Sequence, residues 1–212
     1  EHFSSLINPT QGRPREEYSV PLTTEDSVYF VTDPEETTTI LRVFFNHKAS
    51  LFHTQGEFRE NVIIAMYQNL FNQRLDEIAL QKDPPFVAAG IYDDQLTLEN
   101  TQYTLAFIPL NDDFERSLQI ILTEIERVRQ HGFLNSELER IKDDYLSYYQ
   151  KLYDNRDDQD STFFLEDFID RFVSKEAISS IVFDYELIKA ILPTITTEDL
   201  KTITDQWFLD EG

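Results

Sequence analysis

The chain has 212 residues and a mass of 25.0 kDa, the size of one large domain or of two small ones that share a core. Its 40 acidic residues outnumber 18 basic ones, and the net charge of −22 repels nucleic acids and anionic lipid head groups while attracting cationic peptides. The lack of cysteine excludes disulfides and thiolate metal sites, and no apolar stretch reaches the ~20 residues that membrane insertion requires.

The first residues predict a connection rather than a folded element. Proline, glycine and charged residues dominate residues 1–16, which is typical of a linker from a preceding domain, and residues 17–212 then form the domain itself. Because Met66 is the only methionine, we expect the chain to be a processed protein or a piece of a longer one.

Two β-rich segments come next. Residues 28–31 are aromatic and β-branched and predict a short strand, and after a turn over 33–36 the alternation of residues predicts a second strand over 38–46. Thr54, followed three residues later by Glu57, carries the signature of a capping box and begins a helix predicted over 57–80.

The remaining elements are a hairpin and a run of helices. Strands over 86–98 and 103–109 meet at a polar joint over 99–101. The predicted helices are one over 113–131 that ends at Gly132, one that begins with a capping box of Ser136 and Glu139, one that contains Phe164, Phe168 and Phe172, one over 184–192, and one over 197–208 capped by Thr196 and Asp199. This order predicts an α+β fold with a mixed, largely antiparallel sheet and helices packed on one face.

Aromatic residues recur at helical spacing in the second half of the chain. They are Tyr145, Tyr148, Phe164, Phe168 and Phe172. We interpret this stripe as helix-packing core rather than as a ligand cage.

No catalytic constellation is present in the sequence. The four histidines are His2, His47, His53 and His131, and neither His-Glu-x-x-His nor His-x-x-Glu-His occurs. A Gly-x-Ser-x-Gly elbow and a phosphate-binding glycine loop are also missing. The sequence therefore predicts no catalytic residue, no metal ligand and no cofactor in this chain.

Four groups of residues nonetheless resemble one protein family. They lie at 31–35, at 72–78 with 84–90, at 122–128 with 131–133 and 136–139, and at 192–200. In this order and spacing, they resemble the non-catalytic second domain of the insulinase-like M16 zinc metallopeptidases, in the pitrilysin-type and processing-protease-like branch. The resemblance covers residues 13–208.

The resemblance implies a fold and a partner. Such peptidases pair domains of the LuxS/MPP-like metallohydrolase fold as a clamshell around a chamber, and their catalytic domain binds zinc through His-x-x-Glu-His and a distant glutamate. By this resemblance, the chain braces a catalytic M16 domain, in the same chain or in a partner subunit, and lines the chamber that receives a peptide, which the charge predicts to be cationic. The parent protein would be a bacterial zinc endopeptidase, in the periplasm or the cytoplasm with the periplasm favoured, and this chain would be inactive alone.

Arg74 is the one site residue that the resemblance suggests. In some relatives an arginine–tyrosine pair helps hold the substrate near zinc, and Arg74 has a comparable arginine-leucine context. No tyrosine follows at the expected place, and Phe86 is the aromatic residue nearest to that place. Substrate binding by Arg74 therefore competes with an ion pair to Asp76, Glu77 or another of the many acids.

Two other functions remain open. The chain could be a scaffold domain of an M16-like protein that has lost its catalytic site throughout. It could also be a free-standing acidic module that binds cationic peptides.

Overall fold

The computed structural model describes residues 27–49 and 53–208, together with the single positions Ser5, Ile7, Gly12, Glu16 and Val20. The elements in these residues are β1 (Leu41–Lys48), α1 (Gln55–Ala79), β2 (Phe86–Gln95), β3 (Asn100–Pro109), α2 (Phe114–His131), α3 (Asn135–Asp154), α4 (Ser161–Ser174), α5 (Ile181–Ile191) and α6 (Thr197–Phe208). The predicted α+β class is confirmed. The predicted linker over 1–16 lies outside the described residues except at four positions, so the domain boundary stays a prediction.

The sheet has the order β1-β3-β2, and both pairings are antiparallel. β2 and β3 form the predicted hairpin, but its turn lies at 96–99 rather than 99–101, because Asn100 already pairs with β1. At this turn the N–H groups of Leu96 and Thr97 donate to the carbonyl oxygen of Asn100 at 2.9 and 3.2 Å.

The two faces of the sheet differ in what they contact. Leu105 and its cross-strand neighbour Ile91 lie on the inner face and are each 2% exposed. The next row, on the outer face, is Phe44, Thr104 and Tyr92. The helices pack on the inner face, as predicted.

The core joins this inner face to α1, α2, α3, α5 and α6. Trp207, the only tryptophan, stacks on Tyr103 with ring centroids 3.9 Å apart and meets Tyr67 edge-on at 5.7 Å.

Among the helices that the structure describes, none combines the length and apolar character needed to cross a membrane.

Helix α1 begins as the sequence predicts. The N–H of Thr54 donates to Glu57 Oε2 at 2.7 Å, and the N–H of Glu57 donates to Thr54 Oγ1 at 3.2 Å. Val62, Met66 and Leu70 form a buried stripe, and burial of each such side chain contributes about 1.5–3 kcal/mol.

A second capping box confirms the predicted start of α6. The N–H of Thr196 donates to Asp199 Oδ2 at 2.7 Å, and the N–H of Asp199 donates back to Thr196 Oγ1 at 3.2 Å. Arg59 of α1 also reaches Asp199 at 3.1 Å, so this cap ties the first helix to the last.

The predicted cap of α3 is wrong by two residues. The helix begins at Asn135, and the carboxylate of Glu137 accepts a hydrogen bond from the N–H of Leu134 at 2.6 Å. Ser136 lies inside the first turn. The preceding helix ends as expected at Gly132, whose φ of 66° suits a residue without Cβ.

Two expectations about apolar segments are wrong. The predicted strand over 28–31 does not form, since these residues pair with no strand among the described residues, and their side chains are 79–94% exposed. In α4, which confirms the predicted helix, Phe168 and Phe172 are 42% and 77% exposed, and Tyr148 of α3 is 57% exposed, so these members of the aromatic stripe are not core. Helical spacing predicts an apolar face but not the surface that covers it.

Candidate functional site

The described histidines lie in different parts of the fold. His47 of β1 packs on Tyr103 at 4.7 Å between ring centroids, and burial lowers its pKa. His53 precedes α1, where the carboxylate of Glu57 accepts a hydrogen bond from its backbone N–H at 3.0 Å as part of the helix cap. His131 ends α2, and His2 lies outside the described residues.

The donor set does not fit a zinc ion. Within residues 27–49 and 53–208, no three histidine or carboxylate side chains lie close enough together to hold a metal. Helix α1 has no histidine in its sequence, so it lacks the pair of ligands one turn apart that a helix offers zinc. No reaction step through zinc is therefore assigned to the residues of this chain.

Arg74 of α1 is held by two carboxylates. Its Nη1 lies 3.0 Å from Glu124 Oε1 of α2, and its Nη2 lies 3.1 Å from Glu137 Oε2 of α3. The guanidinium also lies over the ring of Phe133, with Cζ 4.7 Å from the centroid. Arg127 pairs with the second oxygen of Glu124 at 2.8 Å. This cluster ties three helices together.

The pKa of Arg74 reflects these contacts. Burial favours the neutral form, but hydrogen bonds to Glu137 and Glu124 outweigh it and raise the pKa. The side chain is 17% exposed, so little of it can reach a ligand. Arg74 thus forms the ion pairs that the sequence offered as the alternative to substrate binding, but its partners are Glu124 and Glu137 rather than Asp76 or Glu77. Binding of substrate by Arg74 stays a prediction, and Phe86, the aromatic residue nearest to the place of the missing tyrosine, is fully buried.

A groove of about 450 Å³ separates α1 from α3. We call it the α1–α3 groove, and its α1 side is formed by Phe58, Asn61, Ala65, Asn69 and Gln73. These positions recur every three or four residues and therefore share one face of the helix. Ala65, at the centre of this row, has no side chain beyond Cβ, which leaves the space between the helices open.

The α3 side of the groove is aromatic and acidic. It is formed by Asp144, Tyr145, Tyr148 and Tyr149, above Ile141. The rings of Tyr148 and Tyr149 meet edge to face at 5.4 Å. Burial raises the pKa of Tyr145 and Tyr149 to about 12, so both hydroxyls are protonated donors at neutral pH.

Asp144 is the carboxylate of this groove. Its side chain forms no ion pair or hydrogen bond with any residue in the described part of the chain, and it is exposed to solvent. A carboxylate beside aromatic rings and amides suits a cationic, hydrogen-bonding ligand.

A second groove, of about 400 Å³, lies between the start of α1 and the segment that joins α4 to α5. It shares Phe58 with the α1–α3 groove and contains Arg171, which pairs with Asp184 at 3.7 Å. Because its lining contains a positive charge on Arg171 and a negative charge on Asp184, it is less selective for a charged ligand than the α1–α3 groove.

The sequence did not reveal the α1–α3 groove, although Tyr145 and Tyr148 stood out in it as members of a helical stripe. The signal that could have found it is the pairing of this stripe with the small and amide residues Asn61, Ala65 and Asn69 at the same spacing on α1.

Comparison with known proteins identifies what the chain is similar to. No family model matches the chain. A zinc protease PQQL-like protein of Arabidopsis thaliana is 23% identical over 205 residues, which is 97% of this chain but 18% of the plant protein. The chain therefore spans about a fifth of the length of this curated relative.

Solved structures share the fold. The first half of the periplasmic protease PqqL from Escherichia coli superposes with a TM-score of 0.75 at 18% identity, over 82% of this chain and 38% of that one. A predicted insulinase family protease from Yersinia pestis gives a TM-score of 0.67 at 11% identity, over 81% and 37%. The resemblance to the insulinase-like M16 peptidases is thereby confirmed, and the chain has their fold. Since the relatives come from a plant and from bacteria, the bacterial origin stays a prediction.

Proposed function

We propose that this chain is a non-catalytic domain of a larger M16 zinc peptidase, where it braces a catalytic domain and lines the chamber that receives the peptide. One observation carries the proposal: the chain keeps the fold of a zinc peptidase, while its sequence contains no His-x-x-Glu-His. Zinc and the hydrolytic reaction then belong to another domain of the parent protein.

The exposed face of α4 supports a partner domain. Leu165, Phe168, Ile169 and Phe172 of this helix are 42–77% exposed. Large apolar patches of this kind mark sites of protein contact. The chain spans 38% of a solved half-protease, so a neighbouring domain of the same protein is the occupant we propose.

The proposed location is the periplasm. The Escherichia coli protease with this fold is described as periplasmic. A chain without cysteine suits that oxidising compartment, although it suits the cytoplasm equally.

Metal content and peptide cleavage test the proposal. We expect the 212-residue chain alone to hold no stoichiometric zinc after dialysis and to cleave no peptide, and the longer protein that contains it to do both. Tightly held zinc with chelator-sensitive cleavage in the chain alone would overturn the proposal. A longer protein with neither zinc nor cleavage would favour the scaffold function instead.

A further inference from the structure

We infer that the α1–α3 groove binds a basic side chain of a peptide, with Asp144 paired to the guanidinium or ammonium group and the tyrosine rings of α3 packed against it. This inference deepens the proposed function, because it names the class of peptide and the place where it binds. It concerns residues of this chain alone and can be tested without zinc or activity.

The shape of the groove suits a side chain from outside. Its volume of about 450 Å³ lies in the range of roughly 300–1,000 Å³ typical of ligand pockets. Ala65 and Ile141 form apolar surface within it, against which the methylene groups of a lysine or arginine can pack.

The charges around the groove leave Asp144 without a partner. The nearby cations are engaged elsewhere: Arg59 pairs with Asp199 at 3.1 Å, Lys142 with Glu139 at 3.0 Å, and Arg140 donates to Gln73 at 2.6 Å. Because the whole chain carries −22, its field adds to the local attraction for a cation.

The aromatic rings add a second contact that selects for cations. Tyr148 lines the groove and is 57% exposed, so its ring is accessible to a ligand. Elsewhere this chain holds its own cations on tyrosine rings, with Arg156 at 4.5 Å from the centroid of Tyr153 and Lys189 at 4.9 Å from that of Tyr185. Such contacts contribute more when the cation is partly removed from water, as it would be in a groove.

The amides of α1 suit a peptide rather than a free amine. The side chain of Asn61 forms no hydrogen bond within the described residues, so both its donor and its acceptor are available. An extended peptide offers an N–H and a C=O group to such an amide, whereas a simple polyamine offers no acceptor carbonyl.

The test compares matched peptides by fluorescence anisotropy on the 212-residue chain. One labelled peptide carries a central arginine, and the other carries citrulline, which has nearly the same shape without the charge. We expect the arginine peptide to bind about tenfold more tightly, from one ion pair and one cation–π contact together. Equal affinities for the two peptides would overturn the inference.

Two variants separate the groove from general charge. Asp144→Asn should remove most of the preference for arginine, whereas Asp143→Asn, an exposed neighbour with the same change in charge, should keep it. Equal losses in both variants would show that the net charge alone attracts the peptide and would contradict the inference. Tyr148→Leu, at an exposed position, should lower arginine binding about threefold and leave citrulline binding unchanged.

The outcomes also separate this inference from the proposed function. If a longer protein binds no zinc but its groove still prefers arginine, the inference about the groove stands and the proposed role in a zinc peptidase is refuted. If the longer protein cleaves peptides with zinc but the groove shows no preference for arginine, the proposed function stands and the inference about the groove is refuted.

Discussion

The side chain of Asn72 makes both hydrogen bonds that a neighbouring strand would make to Ile91. Its Oδ1 accepts from the N–H of Ile91 at 2.8 Å, and its Nδ2 donates to the C=O at 3.0 Å. In an antiparallel strand these two groups point to the same side, so those of Ile91 face away from β3 and toward α1. The helix thus covers the outer edge of β2 at its centre, where an exposed edge would invite pairing with another chain.

Replacement of this amide should therefore destabilise the chain. We expect Asn72→Ala to lower the free energy of unfolding by about 1–3 kcal/mol, because two backbone groups lose their partners. Asn69→Ala is the matched control, since Asn69 lies on the same helix and donates to the carbonyl of Ala65 rather than to a strand. Both variants gain the same helix propensity. Urea unfolding that gives equal midpoints for the two variants would contradict the assignment.

Arg74 gives a second prediction about stability. Arg74→Ala leaves Glu137 without this cation and Glu124 with Arg127 alone, and we expect a loss of about 2–4 kcal/mol. Arg140→Ala removes one exposed contact to Gln73 and should cost less than about 1 kcal/mol.

The same variant tests whether Arg74 also binds substrate. Peptide affinity is measured at a temperature where Arg74→Ala remains folded, as circular dichroism can show. If the role of Arg74 is the ion-pair cluster alone, affinity should match that of the unaltered chain. A selective loss of affinity in the folded variant would establish a substrate contact.

The pH dependence of stability should contain a contribution from His47. Burial holds its pKa below the ordinary value of 6.5 that applies to the unfolded chain. Between those two pKa values the unfolded state binds more protons, so stability is lost as the pH falls through 6.5 toward the folded pKa. His47→Phe keeps a ring against Tyr103 and should lose less stability than the unaltered chain as the pH falls from about 7.5 to about 5.

The control for His47 is His53→Phe, at an exposed histidine. This variant leaves His47 and its contact with Tyr103 in place. Identical slopes of unfolding free energy against pH in all three proteins would remove His47 as a source of acid sensitivity.

Phe172 tests the proposed contact surface on α4. At 77% exposure, Phe172→Asp should change the stability of the 212-residue chain by less than about 0.5 kcal/mol. In the longer protein it should lower peptidase activity about tenfold or more, because a charge would be buried against the neighbouring domain. Leu122→Asp, at a 51% exposed position of α2, is the control and should leave activity intact. Equal activity of both variants would argue against α4 as the contact surface.

Local signals in the sequence located several elements correctly. The boxes at Thr54 and Thr196 each involve residues three apart, so the helix starts follow from neighbouring residues alone. The sequence predicted a cap at Ser136, but the helix is capped at Leu134 through Glu137, whose carboxylate also pairs with Arg74 of another helix. The contact between Arg74 and Glu137 joins distant parts of the chain, so the spacing of neighbouring residues could not predict it.

The candidate site was harder to predict because it depends on how helices meet. Residues 28–31 have the composition of a strand, but pairing requires a partner that composition does not identify. Likewise, Asp144 looked like one acid among 40, and only its position opposite Ala65 and Asn61 distinguishes it.

The stack of Trp207 on Tyr103 gives the chain a built-in optical probe. Because Trp207 is the only indole and is almost fully buried, the intrinsic fluorescence excited at the red edge of the absorption band comes from one place, the junction of α6 with the sheet. A shift of that emission to longer wavelength reports water reaching this junction. Recorded beside circular dichroism during unfolding, it would reveal whether the last helix leaves the sheet before the other helices melt.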